Sequence, residues 1–418
     1  MKKRIWIINH YASEAYFSEG GRHFWFADNL KKLGYEPVIF CSNAKHDKLE
    51  EYISFPGLFA EMEEKNTGVK YVFVKTRLHT GNGINRFKNM FSFFKNVKKA
   101  AKQYAKTHGE PDVIIGSSVH PLSCVAGIQL SKKFHSEYIS EIRDLWPEEI
   151  VSYSKKWKDT DLLIRILYQG EKWIYKKSKK IIFLQEGAYD YIKEKKWDKA
   201  IPRNKVFYIN NGVDYDKFLF NKANFVYRDL DLEDSRYTNI VYTGSIRMVN
   251  NVGLLLDAAK NLGDTNVRFL IWGNGDELEK LKNRCNSEGI SNVIFKGRVE
   301  KKYIPSIVSK SSANILHWEM SRDLKYGPSY NKMFEYLASG RPMISTLQTP
   351  YSIIKRYNCG IVSEGNDPLS IANAIRAFLE TNEDDISAMG KNSIVAAMDF
   401  DFKKLTNDLI GIIEEEIK

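Results

Sequence analysis

The sequence predicts an α/β protein with two doubly wound parallel sheets, one in each half of the chain. Three observations lead there. Short apolar runs alternate with amphipathic helical patterns through both halves, and strand–helix alternation gives parallel sheets covered on both faces. The 418 residues suffice for two or three domains, each with a full core. Between the two runs, the stretch 206–214 ends in an Asn-Gly turn signal, and a polar segment follows up to Tyr237.

In the first half the apolar runs predict strands at 5–8, 38–40, 69–74, 113–115, 138–140 and 181–183. Helical spacing places helices near 22–33, 87–106, 122–134 and 161–178. In the second half strands are expected at 240–242, 269–272, 293–295, 314–316, 342–345 and 360–362. Helices are expected near 252–262, 276–287, 331–339 and 368–381, with a last one over 402–417 after a break at Asp399-Phe400-Asp401. This organisation gives a first domain over 1–205, a linker region over 206–236 and a second domain over 237–398.

Charge is unevenly spread. The chain carries net +11, with +13 over residues 1–205 and −2 over the rest. A basic half suggests a polyanion or an anionic surface as partner. Residues 86–106 concentrate this charge: Arg86, Lys88, Lys95, Lys98, Lys99, Lys102 and Lys106 stand with no acid among them. Phe87, Phe91, Phe94, Val97, Ala101 and Tyr104 fall at helical spacing. Such a helix suits the inner membrane surface. Nucleic acid is not expected, since no binding motif accompanies the charge. No apolar stretch is long enough to span a bilayer, and the apolar run after Met1 stops at Asn9-His10, too short for a signal peptide. Cys41, Cys124, Cys285 and Cys359 are scattered, which fits a reducing, cytoplasmic setting.

The most informative stretch is 329–342, SYNKMFEYLASGRP. It reads as a loop feeding a helix, closed by Ser339-Gly340, before an apolar strand. A helix N-terminus offers free N–H groups and partial positive charge. Lys332 sits in the first turn, and Glu335 lies one turn on along the same face. A cationic clamp beside a lone carboxylate suits a nucleotide diphosphate sugar: cation on phosphate, carboxylate on ribose hydroxyls. Ser329, Tyr330 and Asn331 precede or open the same helix and are expected to line the donor.

This segment resembles the donor-binding element of family 4 retaining glycosyltransferases, which have the GT-B fold of two facing doubly wound domains. Along nearly its whole length the chain is similar to the O-antigen fucosamine transferases of the WbuB type. In the family two Glu residues eight positions apart flank this turn. The second matches Glu335, and the first falls on Gly327. The NGVD run at 211–214 matches the family's interdomain linker. The resemblance makes the first domain acceptor-binding, the second nucleotide-sugar-binding, and has the terminal helix 402–418 pack back on the first.

The remaining motifs are read with that resemblance beside them. Gly20-Gly21 precedes the first helix, where glycine lets backbone approach a ligand. The family has a glycine pair here, beside the diphosphate. His120 follows the strand at 113–115, so it hangs at the carboxyl end of a parallel sheet, where ligands bind. In the family a His at this point contacts the donor sugar. Glu141, Arg143 and Asp144 lie in a charged Trp-Pro loop after the next strand, and WbuB-type transferases carry a similar E-x-R-D-L-W-P run. Glu141 or Asp144 would orient an acceptor hydroxyl and Arg143 would meet the acceptor phosphate.

Gly244-Ser245-Ile246-Arg247 follows the first strand of the second domain. Many family members have Gly-Arg here and a Lys five residues on. This chain has Ser245 and Asn250 at those two places, and Arg247 is displaced by two, which leaves the positive charge to Lys332 and Arg247. Gly275 and the Arg298-Val299 loop match segments that read the nucleobase, and their backbone groups would favour uracil. Three Asp-x-Asp triplets, 159–161, 229–231 and 399–401, lie at helix starts or in polar connections and read as caps rather than metal ligands. With no His/Cys cluster, no metal and no cofactor are expected beyond the UDP-sugar substrate.

The resulting expectation is a retaining, metal-independent transferase. It moves a sugar, N-acetyl-L-fucosamine or another N-acetylated hexose, from a UDP-sugar to a lipid-linked saccharide of surface polysaccharide (O-antigen or capsule) at the inner membrane face. Two alternatives stand beside it: a UDP-sugar 2-epimerase of the same fold, and a non-catalytic basic protein that binds membrane or RNA.

Overall fold

The computed structural model describes residues 3–81, 83–118, 120–153 and 156–415. The chain forms two compact units. One comprises residues Met1–Asn210 with Phe402–Lys418, and the other Asn211–Asp401.

Among the described residues the first unit holds eight strands: β1 (Arg4–Ile8), β2 (Glu36–Ser42), β3 (Phe59–Glu63), β4 (Lys70–Val74), β5 (Val113–Ser118), β6 (Glu137–Ile142), β7 (Lys180–Phe183) and β8 (Val206–Tyr208). Their order in the sheet is β3-β4-β2-β1-β5-β6-β7-β8. All pair in parallel except β3, which runs antiparallel beside β4. Strands β1 and β5 are neighbours at the point where the chain reverses its direction of travel across the sheet, the usual ligand position of such folds. The helices are α1 (Ser13–Ser18), α2 (Arg22–Lys32), α3 (Ile84–His108), α4 (Pro121–Phe134), α5 (Glu148–Tyr153), α6 (Leu162–Lys177) and α7 (Ala188–Glu194). Strands β1, β2, β4 and β5 are buried on both faces, so their sequences are continuous apolar runs rather than alternating ones.

The second unit holds β9 (Thr238–Thr243), β10 (Val267–Trp272), β11 (Val293–Gly297), β12 (Ala313–Leu316), β13 (Met343–Ser345) and β14 (Gly360–Val362). The order β11-β10-β9-β12-β13-β14 is parallel throughout, with the reversal between β9 and β12. Its helices are α8 (Tyr215–Asn224), α9 (Leu230–Glu233), α10 (Val252–Lys260), α11 (Leu278–Glu288), α12 (Ile304–Lys310), α13 (Asn331–Ala338), α14 (Ile353–Tyr357), α15 (Pro368–Leu379) and α16 (Glu383–Asp399). Ile240, Leu255, Phe269, Ile271, Ile315 and Ile375 are among the residues of one core under this sheet. Burying each such side chain is worth about 1.5–3 kcal/mol.

The last helix, α17 (Phe402–Glu414), packs on α2 in the first unit. Phe402 meets Phe26 edge-on at 5.5 Å. The C-terminal end of α17 is capped by the fully buried Lys180, whose Nζ donates to the carbonyls of Ile412 and Glu415. A cation at a helix C-terminus meets both the free carbonyls and the dipole. Residues 416–418 of the predicted closing segment lie outside the described residues.

The region 206–236 is not one linker. Val206–Tyr208 completes the first sheet by pairing with β7, whereas α8 packs on α12 and α13 in the second unit. Asp214 starts α8 by accepting from the Lys217 N–H at 2.7 Å. Helix α3 also departs from expectation. Its buried face is Met90, Phe93, Val97, Ala100, Ala101 and Tyr104. Ile84, Phe87 and Phe91 form a second apolar line that stays 66%, 52% and 45% exposed.

Candidate functional site

The second unit carries a cleft of about 900 Å³ at the carboxyl ends of β9, β10 and β11. Three loops line it. After β9 come Gly244, Ser245 and Arg247; from the end of β10 come Trp272, Gly273, Asn274, Gly275 and Asp276; after β11 come Arg298, Val299, Glu300 and Lys301, with Ile304 behind. Six residues placed in the donor site from sequence therefore share one cavity: Gly244, Ser245, Arg247, Gly275, Arg298 and Val299.

Backbone hydrogen bonds lace these loops together. Gly244 N–H donates to the Trp272 carbonyl at 3.0 Å, Ile246 N–H to Asn274 at 2.9 Å, and Gly273 N–H to Gly297 at 2.8 Å. The glycines are dictated by this lacing. A Cβ on Gly273 would strike the Gly244 carbonyl, and one on Gly275 would strike the Ile246 carbonyl and approach its N–H at 2.9 Å. At Gly275 the close approach seen in the structure is that of the β9 loop, and the residue also lines the cleft.

Lys332, on α13, lies against Gly244, one of the residues that line the cleft. Its Nζ donates to Tyr242 Oη at 2.9 Å and lies 4.1 Å from the centre of that ring and 5.3 Å from that of Trp318. A Cβ on Gly244 would meet Nζ at 2.6 Å, so the ammonium sits against the glycine that opens the β9 loop. Burial pulls Lys332 down to about 7, opposed by the charge of Glu335. A lysine with no salt-bridge partner among the described residues, pressed against the backbone of Gly244, is prepared for an incoming anion.

Glu335 is half-buried, with Lys301 Nζ 3.9 Å from its Oε1. Tyr330 stacks on Trp318 at 4.5 Å. Ser329 is held through its carbonyl, which accepts from Asn211 at 3.0 Å, and Asn331 is exposed at the start of α13. Ser245 donates its hydroxyl to the fully buried Asn250 at 2.8 Å. The residues at the family's Arg and Lys places thus bind each other, and among the described residues no carboxylate pairs with the exposed Arg247. Lys301 was missed by sequence reasoning. Its only signal was its place four residues past Gly297, on the rim of the same loop.

The other predicted residues belong to the first unit. Gly21 has φ 102° and opens α2, a conformation that requires glycine, with Gly20 beside it. His120 follows β5 and opens α4. Its Nε2 meets His10 Nδ1 at 2.7 Å. His10 follows β1, so the two imidazoles meet where the first sheet reverses direction. Both are buried, and burial keeps His120 neutral, with its pKa lowered to about 3. His120 Nδ1 and His10 Nε2 are buried without hydrogen-bond partners among the described residues. His10 was not singled out from sequence, although Asn9-His10 stands after β1 as His120 stands after β5.

Glu141 requires a correction. Its Oε1 accepts from Arg22 Nε at 2.7 Å; its Oε2 accepts from His23 Nε2 and Ser117 Oγ, both at 2.6 Å. Arg22 also donates to the Ile209 and Asn210 carbonyls. Burial disfavours the charge, but Arg22, His23 and Ser117 override it and hold the carboxyl well below its usual range. Asn9 donates to His23 Nδ1 at 3.0 Å, which fixes the neutral tautomer with its proton on Nε2. Both oxygens of Glu141 are therefore engaged in ordering α2 against β5 and β6, and the side chain is buried away from an acceptor hydroxyl. Arg143 and Asp144 are half-buried beside it. The Arg143 main chain is fixed by Ser118 and Gln185, and its Nε is buried without a partner among the described residues.

Of the Asp triplets, 229–231 supplies a cap and ion pairs, whereas Asp161 precedes α6 without a side-chain cap bond and Asp399 accepts from Tyr357 Oη at 2.7 Å. Asp229 accepts from the Leu232 N–H, and Lys296 bridges Asp229 and Asp231 at 2.8 and 2.5 Å. Among the described residues no group of three or more His, Cys, Asp or Glu is placed to hold a metal ion, and no helix is long and apolar enough to cross a membrane.

Comparison with known proteins decides the class. The Glycosyltransferase Family 4 model matches residues 26–217, and the model described as Glycosyl transferases group 1 matches residues 237–381. The chain is a glycosyltransferase of the GT-B fold. Sucrose-phosphate synthase from Thermosynechococcus elongatus is similar over 99% of this chain and 98% of its own, with TM-score 0.72 and 15% identity. HepE from Anabaena, in complex with UDP and glucose, is similar over 99% and 100%, with TM-score 0.63 and 14% identity. The trehalose-6-phosphate protein from E. coli bound with UDP-2-fluoro glucose is similar over 99% and 99%, with TM-score 0.73 and 10% identity. No curated protein matches the chain in sequence.

Proposed function

We propose that this glycosyltransferase uses a UDP-sugar as donor, binds its diphosphate in the cleft of the second unit, and passes the sugar with retained configuration to a lipid-linked saccharide. One observation carries the reading. Lys332, short of charged partners and partly desolvated, is pressed against Gly244 at the carboxyl end of β9, beside the reversal point of a parallel sheet. A diphosphate seated at Gly244-Ser245 gives that ammonium the counter-charge its surroundings withhold. Arg247 and the free N–H groups opening α13 add to the same field. This electrostatic stabilisation of the leaving group is the main catalytic contribution. Glu335 takes ribose hydroxyls, and main-chain groups at Arg298-Val299 take the base. That the HepE and E. coli structures hold UDP or a UDP-sugar supports the choice of nucleotide.

On the first unit, His120 offers the sugar a neutral imidazole, held by His10. Glu141 acts through Arg22 and His23 as a positioning residue, and Arg143 and Asp144 meet the acceptor. The acceptor hydroxyl attacks on the face the leaving group occupies, and a donor phosphate oxygen takes its proton, so no nucleophilic carboxylate is called for. An N-acetylated hexose such as N-acetyl-L-fucosamine is the proposed sugar, on the WbuB-type resemblance, and O-antigen or capsule the proposed product. The exposed line Ile84, Phe87, Phe91 on α3, flanked by Lys88 and Lys95, supports contact with the inner membrane face, where such acceptors reside.

A panel of nucleotide sugars tested by thermal shift checks the donor. The true donor raises the melting temperature most, and Lys332→Met loses most of that rise. A panel in which no uridine nucleotide shifts the wild type sinks the reading.

A further inference from the structure

The first unit contains a second cavity, of about 270 Å³, which shares Asp144 with the groups proposed to meet the acceptor. It lies between the start of α4 and the middle of α6, beside the loop after β6. Leu122, Val125, Trp146, Ile166, Trp173 and Ile174 are among its walls. Its two carboxyl residues are Asp144 and Glu171. Glu171 is buried, donated to by Tyr175 at 2.6 Å and Tyr191 at 2.7 Å, and burial raises its pKa to about 8, so it is largely uncharged at neutral pH.

Two further observations concern the opening. Gly170 lies in mid-helix on the cavity, where glycine weakens a helix, and a Cβ there would meet nothing within 4 Å. Internal packing therefore gives no reason for a missing side chain, and its absence leaves the cavity open. Around it α6 exposes apolar side chains to solvent: Leu162 is 74% and Trp173 40% exposed, and Leu163 and Ile166 are exposed too. Arg165, Lys172, Lys176 and Lys177 stand on the same helix, whose one acid, Glu171, is buried. An open apolar recess within an apolar, cationic surface is complementary to an amphiphile with a hydrocarbon chain and an anionic head.

We propose that this α4–α6 cavity binds the hydrocarbon chain of the anionic lipid that carries the acceptor. The inference rests on the lipid-linked acceptor reading above and adds a site to it: the chain is gripped by the protein instead of remaining wholly in the bilayer. Helix α4 begins at His120 and the β6 loop carries Arg143 and Asp144, so a chain held here places its head group at the residues proposed to meet the acceptor.

The test uses the full-length protein and n-alkyl phosphates from butyl to dodecyl, titrated calorimetrically below their micelle concentrations. Wild type should bind more tightly by roughly fourfold for each methylene buried, up to a plateau. Gly170→Leu, whose side chain enters open space, should flatten that dependence and weaken dodecyl phosphate by about tenfold or more, while UDP affinity stays unchanged. Ile166→Asn, at an exposed cavity position, should weaken the long chains without filling the space. Affinity independent of chain length, or chain dependence that survives both substitutions, overturns the proposal. Failure of UDP to bind wild type would refute the donor reading and leave the chain-length result standing.

Discussion

Lys332 Nζ and Tyr242 Oη, 2.9 Å apart, join the first turn of α13 to the strand that opens the second sheet. Through this contact a residue ninety positions downstream of β9 delivers its charge to the loop after β9. Lys332→Met should lower kcat/KM by on the order of a hundredfold, about 3 kcal/mol of transition-state stabilisation. Lys332→Arg should recover little, because the larger guanidinium does not fit beneath Gly244. Steady-state kinetics with a soluble acceptor measures both.

The depressed Lys332 gives a pH signature. Its value is about 7 in the folded protein against an ordinary 10.5. A bound diphosphate favours the ammonium, so UDP binding takes up a proton and weakens as pH rises above about 7. Folding has the opposite trend. Between the two values the unfolded chain holds more protons, so stability increases with pH across that window and is lowest below it. Calorimetry in buffers of different ionisation enthalpy should show the proton uptake, and Lys332→Met should abolish it. His120, neutral down to about 3, should contribute no inflection near 6.5 to the pH–rate profile.

Glu141 should behave as a structural anchor. Glu141→Gln leaves Arg22 buried without its counter-charge, and breaking such a pair costs about 3–5 kcal/mol. The depressed carboxyl contributes stability above its ordinary value of 4.5, and that contribution is lost as pH falls through the folded value. Wild type should therefore show a steep acid limb in a melting-temperature profile, and Glu141→Gln a shallower one from a lower plateau. Equal profiles would contradict this role.

Gly273→Ala and Gly275→Ala should each destabilise the second unit by about 1–3 kcal/mol through overpacking, and should lose UDP binding with it. Chemical denaturation followed by UDP titration separates the two effects. Gly170→Ala, where the new atom meets nothing, serves as the control and should gain stability.

Membrane contact is tested on α3. Phe87→Ser with Phe91→Ser removes two exposed aromatics without touching the core, so the melting temperature should hold. Partition onto vesicles containing phosphatidylglycerol should fall by about tenfold or more.

The strands of both sheets were legible because strands buried on both faces leave continuous apolar runs, as in Ile5-Trp6-Ile7-Ile8. Strand β3 was not, because Phe59-Ala60-Glu61-Met62-Glu63 is a half-exposed edge with two acids. Helix α16 was missed although Asn382 caps it by accepting from the Asp385 N–H at 2.9 Å. Its interior, rich in Ala, Gly and Ser, packs closely on α13 and gives little apolar periodicity. Residue types beside strand ends pointed to Gly244 and Arg298 in the cleft, and a cation in the first turn of a helix pointed to Lys332. Pairing across distant sequence was not readable: nothing near Glu141 announces Arg22, and nothing near His120 announces His10. Helix α3 misled because its aromatics divide between two faces, and periodicity alone does not say which of them meets the core.

The return of α17 to the first unit gives the molecule the topology of an insertion. Val213 N–H donates to the Phe400 carbonyl at 3.1 Å, and the Tyr215 N–H to Asp401 at 2.9 Å. The two points where the chain enters and leaves the second unit are thus hydrogen-bonded neighbours. That half is a cassette with its ends side by side, and residues 211–401 expressed alone should keep those ends tied together. The complementary piece is split in sequence and becomes one chain only when residue 210 is spliced to 402.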